Sequence, residues 1–370
     1  MQGKTAISAL ICAIVLILAG TRIMAQTLPT KAGTVRLETV LSGLDVPWAL
    51  DFLPDRSFLV TQRGGSLLLV RGGHARQVAG TPSVWAQGQG GLLDVMVPRD
   101  FAATGEVFLT FARARAGGAS TALAVGRLDT GAARLRDLRV IFQARPGSHG
   151  GRHFGSRVLE APDGTLILTL GERGEATSAQ DRSSHNGSVL RLARDGSVPA
   201  DNPFVGQEGI LPEIWSYGHR NPQGAALDAT GNLWVVEHGA RGGDEINRIR
   251  KGANYGWPVI AYGRHYSGAK IGVGTSKPGM EQPEFHWDPS IAPSGMMIYS
   301  GKLWPQWRGH FFVGSLKFDH ISRLSGHPLR ESERIAGPET GRVRDVIEAP
   351  DGSIWFVSQT RGAVYRMTPG

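Results

Sequence analysis

One short pattern, a strand, a Pro-Asp-Gly type of corner and a second strand, recurs along this chain and limits the folds open to it. Its copies occupy 48–60, 91–111, 157–169, 225–236, 295–314 and 344–357. The Asp-Gly corner supplies the positive φ that a tight hairpin requires. A third strand often follows and carries a basic–apolar pair, as in Arg191-Leu192, Arg248-Ile249, Arg323-Leu324 and Arg366-Met367. Helical periodicity is scarce after residue 26. A unit of this kind cannot bury both faces alone, so copies must stack. Radial stacking around a channel is the solution that leaves few exposed edges. The expectation is all-β: a six-bladed β-propeller of roughly 55 residues per blade. A β-sandwich with coincidental turns is the rival, and a seventh blade stays open.

The first residues set the compartment. Lys4 precedes an apolar run from Ile7 to Ala19, and Met24-Ala25-Gln26 offers a cleavage point. The run is shorter than the roughly 20 residues a spanning helix needs. We therefore expect a signal peptide at 1–25, a catalytic propeller at 26–370, a periplasmic or secreted location and no stable membrane span after cleavage. The only cysteine, Cys12, lies inside the apolar run. The mature chain then has no disulfide, no thiolate nucleophile and no Cys-ligated zinc.

The chain has 40 Lys and Arg against 32 Asp and Glu, and the leader removes Lys4 and Arg22, leaving 38 against 32. This excess is spread out rather than gathered into a stripe, which argues against nucleic acid as a partner. No Gly-x-Gly-x-x-Gly follows a strand, so a nicotinamide enzyme is not expected.

Long Gly- and Pro-rich insertions at 143–156, 171–188, 201–222, 237–245 and 254–294 interrupt the blades. Insertions of this length in a compact domain usually carry function. His153, in Gly-rich sequence just before a repeat, suits a general base, a ligand paired with His149, or an ordinary loop residue. Arg220-Asn221 places a guanidinium beside an amide, fit for a carboxylate or quinone oxygen or for a structural turn. The acidic, Gly-rich 237–247 could offer oxygen ligands to calcium without EF-hand spacing. Lys317, Arg342 and Arg344 could converge on one anion from neighbouring blades, with 342 and 344 on one face of a strand.

In this order, several motifs resemble the soluble PQQ-dependent glucose and aldose sugar dehydrogenases. They are Gly88-Gln89-Gly90-Gly91, the His153 loop, Gly171-Glu172-Arg173-Gly174, His219-Arg220-Asn221-Pro222-Gln223-Gly224, Gly242-Gly243-Asp244-Glu245, Asn254-Tyr255-Gly256-Trp257, Ser315-Leu316-Lys317 and Arg342-Val343-Arg344. The resemblance covers the mature chain and implies a six-bladed propeller that oxidises aldoses at C1 to lactones. It implies His153 as base, Glu172 orienting it, and Arg220 and Asn221 on the quinone oxygens of PQQ. Lys317, Arg342 and Arg344 would meet the carboxylates of PQQ, and Gln89 would line the sugar pocket. Ca2+ would take the carbonyls of Gly239 and Ala240, the latter a departure from the family's usual Pro. Asp244, Glu245 and Tyr255 match positions around a second calcium. The implied partners are a sugar and an external electron acceptor, either a quinone or a redox protein. A calcium-dependent propeller lactonase and a non-catalytic sugar-binding propeller are the alternatives. The 254–294 insertion is expected to set substrate choice, with Trp257, His286 and Trp287 as wall residues.

Overall fold

A computed structural model describes residues 26–370. The expected leader at 1–25 lies outside the described residues. The strands form six antiparallel sheets of four or five strands. The innermost strand of each blade is, in order, Pro47–Phe52, Leu92–Met96, Val158–Glu160, Pro222–Leu227, Pro293–Ile298 and Val343–Glu348. Each inner strand packs against the next, and the last returns to the first, closing a ring. The chain is a six-bladed β-propeller, and the repeats read from the sequence are the inner two strands of its blades.

The burial pattern explains the ring. Six large apolar clusters each bridge two consecutive blades, and none is confined to a single blade. One joins Leu50, Phe58 and Val60 of blade 1 to Trp355 and Val357 of blade 6. Another joins Tyr299 and Phe312 of blade 5 to Ile354 and Phe356 of blade 6. Second strands such as Ile354–Ser358 are buried along their whole length, because both faces meet a neighbour. At about 25 cal/mol per Å2 of apolar area, that burial is the main force holding blades radially.

The corners form as their residue types demand. In the 157–169 repeat, the Asp163 carboxylate accepts the Thr165 amide at 3.0 Å while Gly164 takes φ 81°. Asp351 and Gly352 repeat this in blade 6. An Asp side chain that bonds two residues ahead stabilises the turn, and glycine bears the left-handed backbone without strain.

Blade 6 takes its outer strands from the other end of the chain. Gly33–Leu41 pairs with Ala363–Pro369, putting Leu37 opposite Met367, and Gln26–Thr30 adds a fifth strand outside it. The short-range pattern used to read the repeats holds no information about this pairing.

Candidate active site

The inner strands run from a large cavity at their starts to a smaller one at their ends. The first, of about 1240 Å3, is walled by Trp48, Gln223, Ala292, Arg342 and Arg344 from the inner-strand ends and by the inter-strand loops. Those loops supply Arg63, Gln89, Gly239, Ala240, Arg241, Tyr262, Arg264, Asp288 and Lys317. The wall therefore has six cations and one carboxylate.

The three expected anion-binding cations all reach it. Arg344 donates to the Gln223 side-chain oxygen at 2.8 Å and to that of Gln359 at 3.2 Å. Burial, with Arg342 and Arg157 nearby, pushes its guanidinium down to about 9. A half-buried cation held only by neutral amides is poorly compensated, so an anion in the cavity would stabilise it. Arg342 is not on the strand with Arg344. It precedes Val343 at φ 47° and donates to the Leu316 carbonyl, and burial lowers its pKa. Lys317 is exposed, with its ammonium 4.8 Å from the Phe318 ring centre.

His153, Glu172, Arg220 and Asn221 form a buried layer behind Gln89 and His238, which are in the wall. His153 holds a left-handed φ of 55°. Its Nδ1 is 2.9 Å from Glu172 Oε2, and its amide donates to Gln89 Oε1 at 2.7 Å. Glycine makes this layer possible at two points. A Cβ on Gly171 would stand 2.2 Å from the His153 carbonyl, and one on Gly88 would stand 2.2 Å from that of Gly151. With Nδ1 engaged by a carboxylate, Nε2 is the nitrogen left to take a proton. Burial lowers the His153 pKa despite Glu172, so the imidazole is a base at neutral pH. His149 is exposed, and no pair forms between it and His153.

Arg220 donates one arm to the Gly239 carbonyl and lies 5.3 Å from the Trp257 ring centre. Asn221 Oδ1 accepts the Gly155 amide at 3.2 Å. Arg220 Nε, Asn221 Nδ2 and His238 Nε2 are buried without a partner. Arg220 Nε and Asn221 Nδ2 are thus two unmet donors in the layer next to the cavity, at a cost of about 1–3 kcal/mol each.

Gly239, Ala240, Glu245 and Tyr255 surround a void of about 20 Å3, with Glu237 opposite Glu245 across the ladder. Burial and the Glu237 charge push Glu245 up to about 8. A void that size holds one water or small ion. Asp244 is not part of it. Its carboxylate accepts the Gly239 and Ala292 amides at 2.8 and 2.9 Å, which ties blade 4 to blade 5. The Tyr255 hydroxyl is also committed, donating to the Arg248 carbonyl at 2.6 Å. Among the described residues no three His, Cys, Asp or Glu side chains are gathered as a metal cage.

The 254–294 insertion does reach the cavity, but through Tyr262, Arg264, Tyr266 and Asp288. Trp257 faces the small void, Trp287 is buried with its indole N–H 3.2 Å from Glu331, and His286 stacks under Tyr262 at 4.0 Å. Gln223, Gln359, Trp48 and His238 are wall residues that sequence reading did not single out. Gln223 had a signal, since it stands two residues after Asn221 in the same motif.

The glucose/sorbosone dehydrogenase family model matches residues 44–366. The chain belongs to that family. It is 40% identical over 356 residues to the aldose sugar dehydrogenase YliI of Escherichia coli, covering 94% of this chain and 96% of that one. It superposes on the apo crystal structure of the Escherichia coli soluble aldose sugar dehydrogenase with a TM-score of 0.88, covering 91% and 100% of the two chains. The PQQ-bound aldose sugar dehydrogenase of Streptomyces coelicolor gives a TM-score of 0.75 at 27% identity, covering 90% and 98%.

Proposed function

We propose that this glucose/sorbosone dehydrogenase family member oxidises aldoses at C1 to lactones with PQQ and calcium. The observation that carries the reading is a cationic cavity, holding Lys317, Arg342 and Arg344, laid against a buried histidine–carboxylate pair. PQQ, when bound, supplies the quinone that accepts the hydride. Arg342, Arg344 and Lys317 would hold its carboxylates, and the unpartnered Arg220 Nε and Asn221 Nδ2 would meet its quinone oxygens. Calcium would rest on the Gly239 and Ala240 carbonyls. The Glu237–Glu245 void fits a second cation, which would lower the raised Glu245 pKa.

His153 Nε2 takes the proton of the anomeric hydroxyl while Glu172 fixes the ring from Nδ1 and favours the imidazolium that forms. Gln89 holds the His153 backbone and faces the cavity, so one side chain sets both base and sugar. Electrons leave to an external quinone or redox protein. The leader expected at 1–25 would put this chemistry outside the cytoplasm, and no described helix is long and apolar enough to cross a membrane.

The test is reconstitution. The apoprotein is titrated with PQQ with and without calcium, and dye reduction is followed with glucose and other aldoses. Activity that needs sugar, PQQ and calcium together is the expected result. Failure to bind PQQ in either condition would sink the assignment.

A further inference from the structure

The cavity wall breaks a local rule of β pairing at its blade-4 side. Arg241 and Arg264 are directly opposed in an antiparallel bridge, with Arg241 N donating to the Arg264 carbonyl at 2.9 Å. Arg264 is in turn bridged antiparallel to Lys270. Side chains of opposed residues share one face, and like charges there repel. Three cations thus stand in a row. No hydrogen bond or ion pair among the described residues neutralises either guanidinium, and the Lys270 ammonium donates to the Val273 carbonyl at 2.9 Å. A local conflict with no internal compensation is the mark of a functional position.

Position decides what the row is for. Arg241 and Arg264 wall the same cavity as Gln89, Arg344 and Lys317. Tyr262 lines the same cavity, its ring stacked on His286 with its hydroxyl bonded to Gln282 at 2.9 Å. A fixed aromatic face beside two free guanidiniums suits a pyranose ring that ends in an anion. Lys317, Arg342 and Arg344 lie on the blade-5 and blade-6 side and are taken up by the cofactor in the proposed reading. The blade-4 pair is left for the substrate.

We propose that Arg241 and Arg264 select aldoses carrying an anionic group remote from C1, a carboxylate or a phosphate. This rests on the dehydrogenase reading and narrows its substrate class. The guanidiniums are exposed, so salt screens them, and the preference is moderate and ionic-strength dependent.

The test uses PQQ- and calcium-loaded protein, wild type and the double variant R241Q/R264Q, with glucose, glucuronate and glucose 6-phosphate. At low salt the anionic sugars are expected to have KM values about threefold to tenfold below that of glucose. The ratio should fall to near one in the variant and in about 0.5 M salt. A preference for glucuronate alone, or for the phosphate alone, supports the proposal and identifies the anion. Methyl glucuronide and methyl glucoside lack a free anomeric hydroxyl, so they report binding alone as competitive inhibitors. The glucuronide should inhibit better, again by about threefold to tenfold. Equal inhibition, or a preference that survives in R241Q/R264Q, overturns the inference while leaving the dehydrogenase intact. If no aldose is oxidised, both readings fall.

Discussion

The two ends of the channel are built from the same inner strands yet treat charge in opposite ways. At the cavity end, Arg344 and Lys317 line the cavity with only neutral groups against them, two amides and the Phe318 ring. At the other end, the next residue along, Asp345, joins Asp94 around Arg157, with ion-pair distances of 3.0 and 2.7 Å. Asp51 completes that cluster, which borders a cavity of about 380 Å3. One guanidinium cannot neutralise three carboxylates. Burial pushes Asp51 and Asp94 up to about 7, even though Asp94 touches Arg157. The lower end thus meets its own charges within the fold, sharing protons where cations run out. The upper end keeps a surplus that only a ligand can meet. Trp48 separates the two networks, with Arg157 4.9 Å and Arg344 6.0 Å from its ring centre.

Removing the base tests the upper end most severely. His153→Ala should cost about 10²- to 10⁴-fold in kcat. PQQ affinity, followed by fluorescence titration, should change little. Loss of PQQ binding in step with activity would mean that His153 holds the cofactor rather than moving a proton.

Next come the two arginines, which should fail in different ways. Arg157→Met strands buried carboxylates and should lower unfolding stability by about 3–5 kcal/mol in urea. Arg344→Met removes an under-compensated cation, so the apoprotein should melt no lower. Its PQQ affinity should nevertheless fall about tenfold or more, from lost charge-assisted bonds. Equal destabilisation by both substitutions would erase the distinction between the ends.

The smallest effects are in pH, and the two ends differ in sign. The lowered His153 pKa confines the acid limb of kcat/KM to below 6.5. Asp51 and Asp94 bind protons more tightly when folded than at their ordinary 3.8. Their contribution to stability is therefore full below about pH 4 and is lost as pH rises through about 7. Asp51→Asn should flatten that slope in urea midpoints measured from pH 5 to 8. An unchanged slope would place the proton elsewhere.

Much of this architecture was legible because inner and second strands carry local signals: short apolar runs, Asp-Gly corners and short separations. Arg344, Lys317 and Gln89 were legible through their motifs, and all reach one wall. The outer strands of blade 6 were not, since Leu37 meets Met367 and nothing local foretells a partner so far away. Arg342 was expected beside Arg344 on a strand, but a left-handed residue before the strand turns it in from the loop instead. Asp244 and Tyr255 have the chemistry of metal ligands, yet amides and a carbonyl have claimed their polar atoms. Composition cannot foresee that competition. The Arg241–Arg264–Lys270 row depends on the 254–294 insertion folding back onto the 237–245 loop, a pairing no period reveals.

The shared sixth blade also governs when the molecule can come into being. Blades 1 to 5 are each contiguous in the chain, so their strands can pair and stack, blade upon blade, before the last residues take part. The ring cannot shut until residues 363–369 are available to the strand at 33–41. During that wait the Leu50–Phe58 face of blade 1 lacks Trp355 and Val357 and is open to wrong partners. Completion is therefore a single late event, and a chain truncated by its last eight residues would be left with five finished blades and an open seam.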